Sequence, residues 1–145
     1  MRISDLLSGK SIDHVVTVSP DASVRDLLQL LAEHNIGALV VSNDGESVDG
    51  IVSERDVVRR LAGSAADAVL DGTVGAIMTS DVQTCDPQTP VDELRAVMTE
   101  RRIRHVPVVS DGRLAGIISI GDVVKSSLDQ LQFERDQLDS YLHQT

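Results

Sequence analysis

Apolar positions along the chain change period at regular intervals, and the changes mark its elements. Val24, Leu27, Leu28 and Leu31 recur at three- and four-residue spacing, which predicts one face of a helix, and Ser23 just before them is a capping residue. Ala38-Leu39-Val40-Val41 is a continuous apolar run, the pattern of a strand covered on both faces. Asn43-Asp44-Gly45 then supplies hairpin-turn residues, Gly50-Ile51-Val52 reads as the returning strand, and a second helix is expected from about Glu54. Upstream, a short strand through Thr17 ends at Pro20, which has no N–H to donate to a ladder. The unit is β-α-β-β-α.

The same unit occurs twice. Sliding the chain by 67 residues lays Val15-Val16-Thr17-Val18-Ser19-Pro20 on Val82-Gln83-Thr84-Cys85-Asp86-Pro87, and Val24, Leu27, Glu33, Ile36 and Val41 on Val91, Leu94, Glu100, Ile103 and Val108. One extra residue in the first hairpin reduces the offset to 66, after which Gly50-Ile51, Ser53 and Asp56-Val57-Val58 meet Gly116-Ile117, Ser119 and Asp122-Val123-Val124. In the second copy Pro90 is expected in the first helical turn, followed by Val91, Leu94, Val97 and Met98 on one face. Val106-Pro107-Val108-Val109 and Gly116-Ile117-Ile118 are its later strands, with the closing helix from about Ile120. Even the lead-in is duplicated: the segment from Ile3 to Ser8 is echoed from Val74 to Thr79. Residues 62–75, rich in Ala, Gly and Ser, read as a linker with room for a short helix. These boundaries divide the chain into repeat one at 1–66, repeat two at 67–127 and an amphipathic helical tail at 128–145. Halves this small are expected to share a single core.

Composition narrows the function. The chain has 145 residues and a formal net charge of -10, which disfavours a general nucleic-acid or membrane-surface binder. Eleven of its basic residues are arginines, the side chain suited to bidentate recognition of carboxylate or phosphate. Aromatics are confined to Phe133 and Tyr141, so base-stacking platforms are excluded and the core must be aliphatic. A lone Cys85 makes no internal disulfide, and neither metal-ligand spacing nor a catalytic constellation is present, so no enzyme and no metal site are expected. Without a signal pattern or a long apolar run, a cytoplasmic location is expected.

The paired motifs Gly50-Ile51-Val52-Ser53-Glu54-Arg55-Asp56 and Gly116-Ile117-Ile118-Ser119-Ile120-Gly121-Asp122, with Ile103-Arg104-His105-Val106-Pro107-Val108-Val109, resemble those of the tandem cystathionine-β-synthase (CBS) domain pair, or Bateman module. The resemblance implies an α/β fold of the α+β type: two β-α-β-β-α repeats related by a pseudo-twofold axis, with clefts between them that bind adenine nucleotides. It also implies a ligand-sensing, regulatory role, pairing of modules into a homodimer, and no required cofactor beyond a regulatory ligand such as AMP or ATP. An effector protein then reads the change. The alternative is a homodimeric scaffold with vestigial clefts.

The residue chemistry runs parallel to this. A carboxylate inside a helix N-terminus, as at Asp56 and Asp122, accepts hydrogen bonds from a ribose diol, and the free helical N–H groups beside Ser53 and Ser119 meet phosphate or sugar oxygens. The same Ser-x-x-Asp spacing is also that of a plain helix cap. By the resemblance, Ser53, Arg55 and Asp56 share a cleft with Thr84, Ile103, Arg104 and His105, and Ser119, Gly121 and Asp122 share one with Thr17, Ile36, Gly37 and Ala38. Arg101 and Arg102 stand beside the second cleft for phosphate. The Asp56 cleft, with Arg55, Arg104 and His105 converging, is expected to be the better phosphorylated-nucleotide site. In the tail, Val124, Leu128, Leu131, Arg135, Leu138 and Leu142 form an a/d stripe that is expected to meet a dimer partner.

Overall fold

The computed structural model describes residues 1–9 and 15–143. Its elements run α1 (Ile3–Ser8), β1 (Thr17–Val18), α2 (Val24–His34), β2 (Ala38–Val41), β3 (Gly50–Ser53), α3 (Glu54–Gly63), α4 (Ala66–Leu70), α5 (Val74–Ile77), α6 (Val91–Arg101), β4 (His105–Ser110), β5 (Arg113–Ser119) and α7 (Ile120–Leu142). The helical linker segment is α4. In repeat one, β1 lies parallel to β2, which pairs antiparallel with β3 in the register Ala38 to Ser53 and Val41 to Gly50. Ser23 caps α2 as its spacing predicts, its hydroxyl accepting from the Asp26 N–H at 3.1 Å.

Repeat two follows the same plan with two differences. Its first strand is reduced to one parallel bridge, Cys85 to Val108. The cause is Pro107: its carbonyl accepts from the Cys85 N–H at 3.0 Å, so the edge facing Cys85 is also the edge from which its missing N–H is lost. At the matching place in repeat one stands Val40, paired with Thr17, which keeps that donor. The hairpin between β4 and β5 is tight, with Asp111 and Gly112 both at positive φ (53° and 77°), the pairing required by a two-residue primed turn. Pro90 caps α6 from just outside it instead of entering the first turn.

The single shared core is not what forms. There are two cores, and each is completed by the lead-in that precedes the other repeat. Ile3, with no exposed surface, packs with Val91, Leu94, Met98, Val106, Val108, Ile118 and Val123 of repeat two. Val74 does the same among Val18, Val24, Leu27, Leu39, Val41 and Val52 of repeat one. The backbone repeats the exchange. The Ile3 and Ser4 N–H groups donate to the carbonyls of Thr89 (2.9 Å) and Pro87 (2.8 Å), while Val74 and Gly75 donate to Ala22 and Pro20, both at 2.8 Å. Gly50 and Gly116 make room for these crossings. A Cβ at Gly116 would fall 2.5 Å from Leu7, and one at Gly50 would fall 2.6 Å from the Met78 sulfur and 2.9 Å from the Thr79 carbonyl.

The tail is not a separate element. α7 continues without interruption from repeat two to Leu142, its first turns held on the module by buried Val123 and Ser126 and by a bond from the Arg95 guanidinium to Ser127.

Two outcomes test this packing. Ile3→Ala removes a fully buried side chain and is expected to cost about 2–5 kcal/mol. By hydrogen exchange the lost protection falls on β4 and β5 of the distant repeat, and a loss confined to β2 and β3 refutes the crossing. Burial, then the nearby Asp86 charge, pushes the half-buried Cys85 thiol up to about 11. It is therefore protonated at neutral pH, and stability falls as pH rises from the ordinary thiol value towards 11. Alkylation at pH 8 is expected to be slower than in the unfolded chain by about one to two orders of magnitude; equal rates refute the burial.

Candidate functional site: the cleft at the start of the third helix

Each repeat turns from its last strand into its last helix through a serine–aspartate box that shares one bond, from the serine N–H to the aspartate Oδ2, and differs in the bond the hydroxyl makes. The Ser53 N–H donates to Asp56 Oδ2 at 2.8 Å, and the Ser53 hydroxyl donates to the same oxygen at 3.1 Å. In repeat two the Ser119 N–H donates to Asp122 Oδ2 at 2.8 Å, and the Asp122 N–H donates to the Ser119 hydroxyl at 3.1 Å. The first helical N–H is tied in as well: Glu54 donates to the Gly37 carbonyl at 3.0 Å and Ile120 to the Arg104 carbonyl at 2.8 Å. Both aspartates are therefore helix caps. The cap also fixes each carboxylate at a helix mouth, so capping and ligand binding are compatible uses of one geometry.

At Asp56 this mouth opens into a cleft of about 420 Å³. The cleft is lined from repeat one by Ile51 and Val52 of β3 and by Ser53, Glu54, Arg55, Asp56 and Arg59 around the start of α3, and from repeat two by Arg102, Ile103, Arg104 and His105. Gly37, Ala38 and Thr79 close the remaining sides. The volume falls in the range of small-molecule sites. Four arginines, Arg55, Arg59, Arg102 and Arg104, line the cleft with two carboxylates, Glu54 and Asp56, so a chain that is acidic overall is locally basic here. Ala38, Ile51, Val52 and Ile103 supply an apolar lining without an aromatic ring.

Ser53, Arg55, Asp56, Ile103, Arg104 and His105 are thus brought together as the sequence suggests. Others are placed differently. Thr84 does not line this cleft; Thr79 does, carried there by its bridge to Ile51. Gly37 and Ala38, expected beside Asp122, line the Asp56 cleft because the register Ala38 to Ser53 sets the start of β2 against the end of β3 in the same repeat. A Cβ on Gly37 would stand 4.0 Å from the His105 ring, so the starts of the two second strands meet at this point. Arg102, assigned to the other cleft, lines this one from the C-cap of α6. Arg101 is the exposed last residue of α6.

Around the second helix mouth, Asp122 lines a smaller recess of about 220 Å³ with Met1, Asp5, Leu6, Gly9, Lys125, Ser126 and Asp129, where carboxylates outnumber the one lysine. Ser119 and Gly121 sit at the same helix start and Thr17 in β1. Ile36 lines an apolar recess with Leu28, Leu31 and Ala32 behind Gly37. Residues 10–14, immediately before β1, lie outside the described residues. Sequence reasoning missed Ile51, Val52, Glu54, Arg59 and Thr79 as lining residues, the first three although they stand in the same motif as Ser53 and Asp56. Arg59 stands four residues after Arg55, hence on the same helix face, and was legible. Thr79 was not, because only the lead-in crossing brings it to the cleft.

Among the described residues no helix is long and apolar enough to cross a membrane. A CBS-domain containing protein of known structure from Agrobacterium tumefaciens is 46% identical, with a TM-score of 0.82 over 88% of this chain and 99% of that one. The CBS domain pair of protein MJ0100, solved in complex with 5'-methylthioadenosine and S-adenosyl-L-methionine, is 27% identical with a TM-score of 0.77, covering 90% of this chain and 98% of that one. A CBS domain-containing protein of Arabidopsis thaliana, CBSX3, described as mitochondrial, is 36% identical over 97% of this chain and 71% of its own length. The model of the CBS domain matches twice, at residues 3–63 and 74–129, each match taking in a lead-in together with the repeat that follows it. The chain belongs to the CBS domain family and is a CBS pair, a module of regulatory proteins, extended by a C-terminal helix.

Proposed function

We propose that the chain is a regulatory sensor of phosphorylated adenosine nucleotides of the AMP, ADP and ATP class, bound in the Asp56 cleft. One observation carries this reading: four arginines line a cleft that opens at a helix mouth whose carboxylate is fixed by its own cap. Asp56 accepts the ribose hydroxyls, the adenine lies against Ile51, Val52 and Ile103, and the phosphates meet the guanidinium groups. The adenosine compounds bound by the pair of MJ0100 support the adenosine part. Neither of those two ligands carries a phosphate, and one is a sulfonium cation, so the arginines distinguish the ligand proposed here from them. Because Ser53 to Arg59 come from one repeat and Arg102 to His105 from the other, a ligand that grips both walls favours one relative placement of the repeats. Binding then shifts the module, working as a homodimer, towards the state that an effector protein reads.

The closed capping boxes favour a second reading, a homodimeric scaffold whose serines and aspartates only start helices. Calorimetry with AMP, ADP, ATP and 5'-methylthioadenosine separates the two. A sensor binds the phosphorylated compounds more tightly than the thioether, and Asp56→Ala weakens them by about 10- to 100-fold, the loss typical of a charged hydrogen bond. A larger loss from Asp122→Ala, or no heat with any compound, refutes the proposal.

Arg102 offers a separate check. It holds the left-handed conformation at φ 55°, as Asn35 does at φ 51° in the matching position of repeat one. Asparagine tolerates that conformation and arginine does so at a cost, which its place in the cleft accounts for. Arg102→Gly is expected to raise the melting temperature by about 2–4 °C while weakening ATP binding. A variant that gains stability with unchanged affinity shows that Arg102 has no part in the site.

A further inference from the structure

We propose that the second half of α7 forms an antiparallel helical pair with the same segment of a second copy. Val124, Leu128, Leu131, Arg135, Leu138 and Leu142 recur at alternating four- and three-residue steps, and each of the five apolar ones is 50–63% exposed. The stripe spans about 27 Å at 1.5 Å per residue. An apolar seam with this period is completed by another helix. The side of α7 that holds the module lies elsewhere, marked by buried Val123 and Ser126, so among the described residues the seam is not used within the chain.

The charges choose the occupant and its direction. Arg135 interrupts the seam, with Glu134 and Asp139 flanking it and Lys125 near its start. In a parallel pair of identical helices Arg135 faces Arg135, and Glu134 of one copy faces Asp139 of the other, so like charges meet twice over. In an antiparallel pair centred on residue 133, Val124 meets Leu142, Leu128 meets Leu138, and Arg135 meets Leu131 with Glu134 of the other copy within its reach. Lys125 of each copy then faces Asp139 of the other, giving two equivalent ion pairs. Glu134 of the two copies approach near the axis, where both Arg135 side chains stand. The antiparallel arrangement turns the conflicts at Arg135 and Asp139 into attractions, and it is isologous, so the contact closes as a dimer. Within one chain Lys125 and Asp139 are about 21 Å apart along the helix and cannot pair.

That separation makes the test specific. Sedimentation equilibrium of the full chain at low ionic strength is expected to show a dimer weakened about two- to thirtyfold by Lys125→Glu or by Asp139→Lys, the range of surface ion pairs counted twice. The double reversal restores it. Direction is read from spin labels at Phe133→Cys and at Ser140→Cys in a Cys85→Ser background, two positions seven residues apart and so on one side of the helix. An antiparallel pair displaces the two copies of residue 140 by about 21 Å along the axis and leaves those of 133 level. The distance at 140 is therefore expected to exceed that at 133 by several ångströms. A monomer, equal distances at the two positions, or a double reversal no better than the singles overturns the proposal. None of these outcomes depends on whether a nucleotide occupies the Asp56 cleft.

Discussion

The structure depends on an exchange of short segments between repeats. A β-α-β-β-α unit of this size leaves one patch of its apolar surface open, and the lead-in that follows it or precedes it in sequence does not necessarily cover that patch. Here α1 covers repeat two and the segment from Val74 to Met78 covers repeat one, each buried against strands and helices that the other repeat's numbering would not suggest. Neither core is complete without the other half of the chain. The exchange therefore ties the repeats to each other before any ligand is present, and the cleft between them exists because of that tie.

Symmetry then sets up two helix mouths and sequence differences make them unlike. Both carry the same capping box, so both carboxylates are oriented at no extra conformational cost. At Asp56 the charged neighbours are four arginines, Arg55, Arg59, Arg102 and Arg104, and one carboxylate, Glu54; at Asp122 they are Asp5 and Asp129 with one cation, Lys125. The first environment favours an anion and the second opposes one. A duplicated fold has in this way retained one geometry twice and attached different electrostatics to it.

The long closing helix links the module to its surroundings. Its first turns belong to the core of repeat two, and its exposed stripe begins at Val124, before the module-facing residues end. Any displacement of repeat two relative to repeat one therefore moves the stripe as a rigid extension, since α7 has no break between Ile120 and Leu142.

Much was legible in the sequence. Periodicity and the 67-residue repeat determine the element types, the hairpin turns, the two caps at Ser53 and Ser119 and the wall from Ile103 to His105, because all of these are local patterns written twice. What the tertiary structure alone decided is which segments meet. The lead-ins cross because apolar residues at Ile3 and Val74 state that they must be buried without stating where. Thr79 displaces Thr84 from the cleft for the same reason, and Gly37, Ala38 and Arg102 join Asp56 because strand register and pseudo-symmetric packing, which no one-dimensional pattern encodes, bring them there. Burial is a property of a residue, but the partner that buries it is a property of the whole chain.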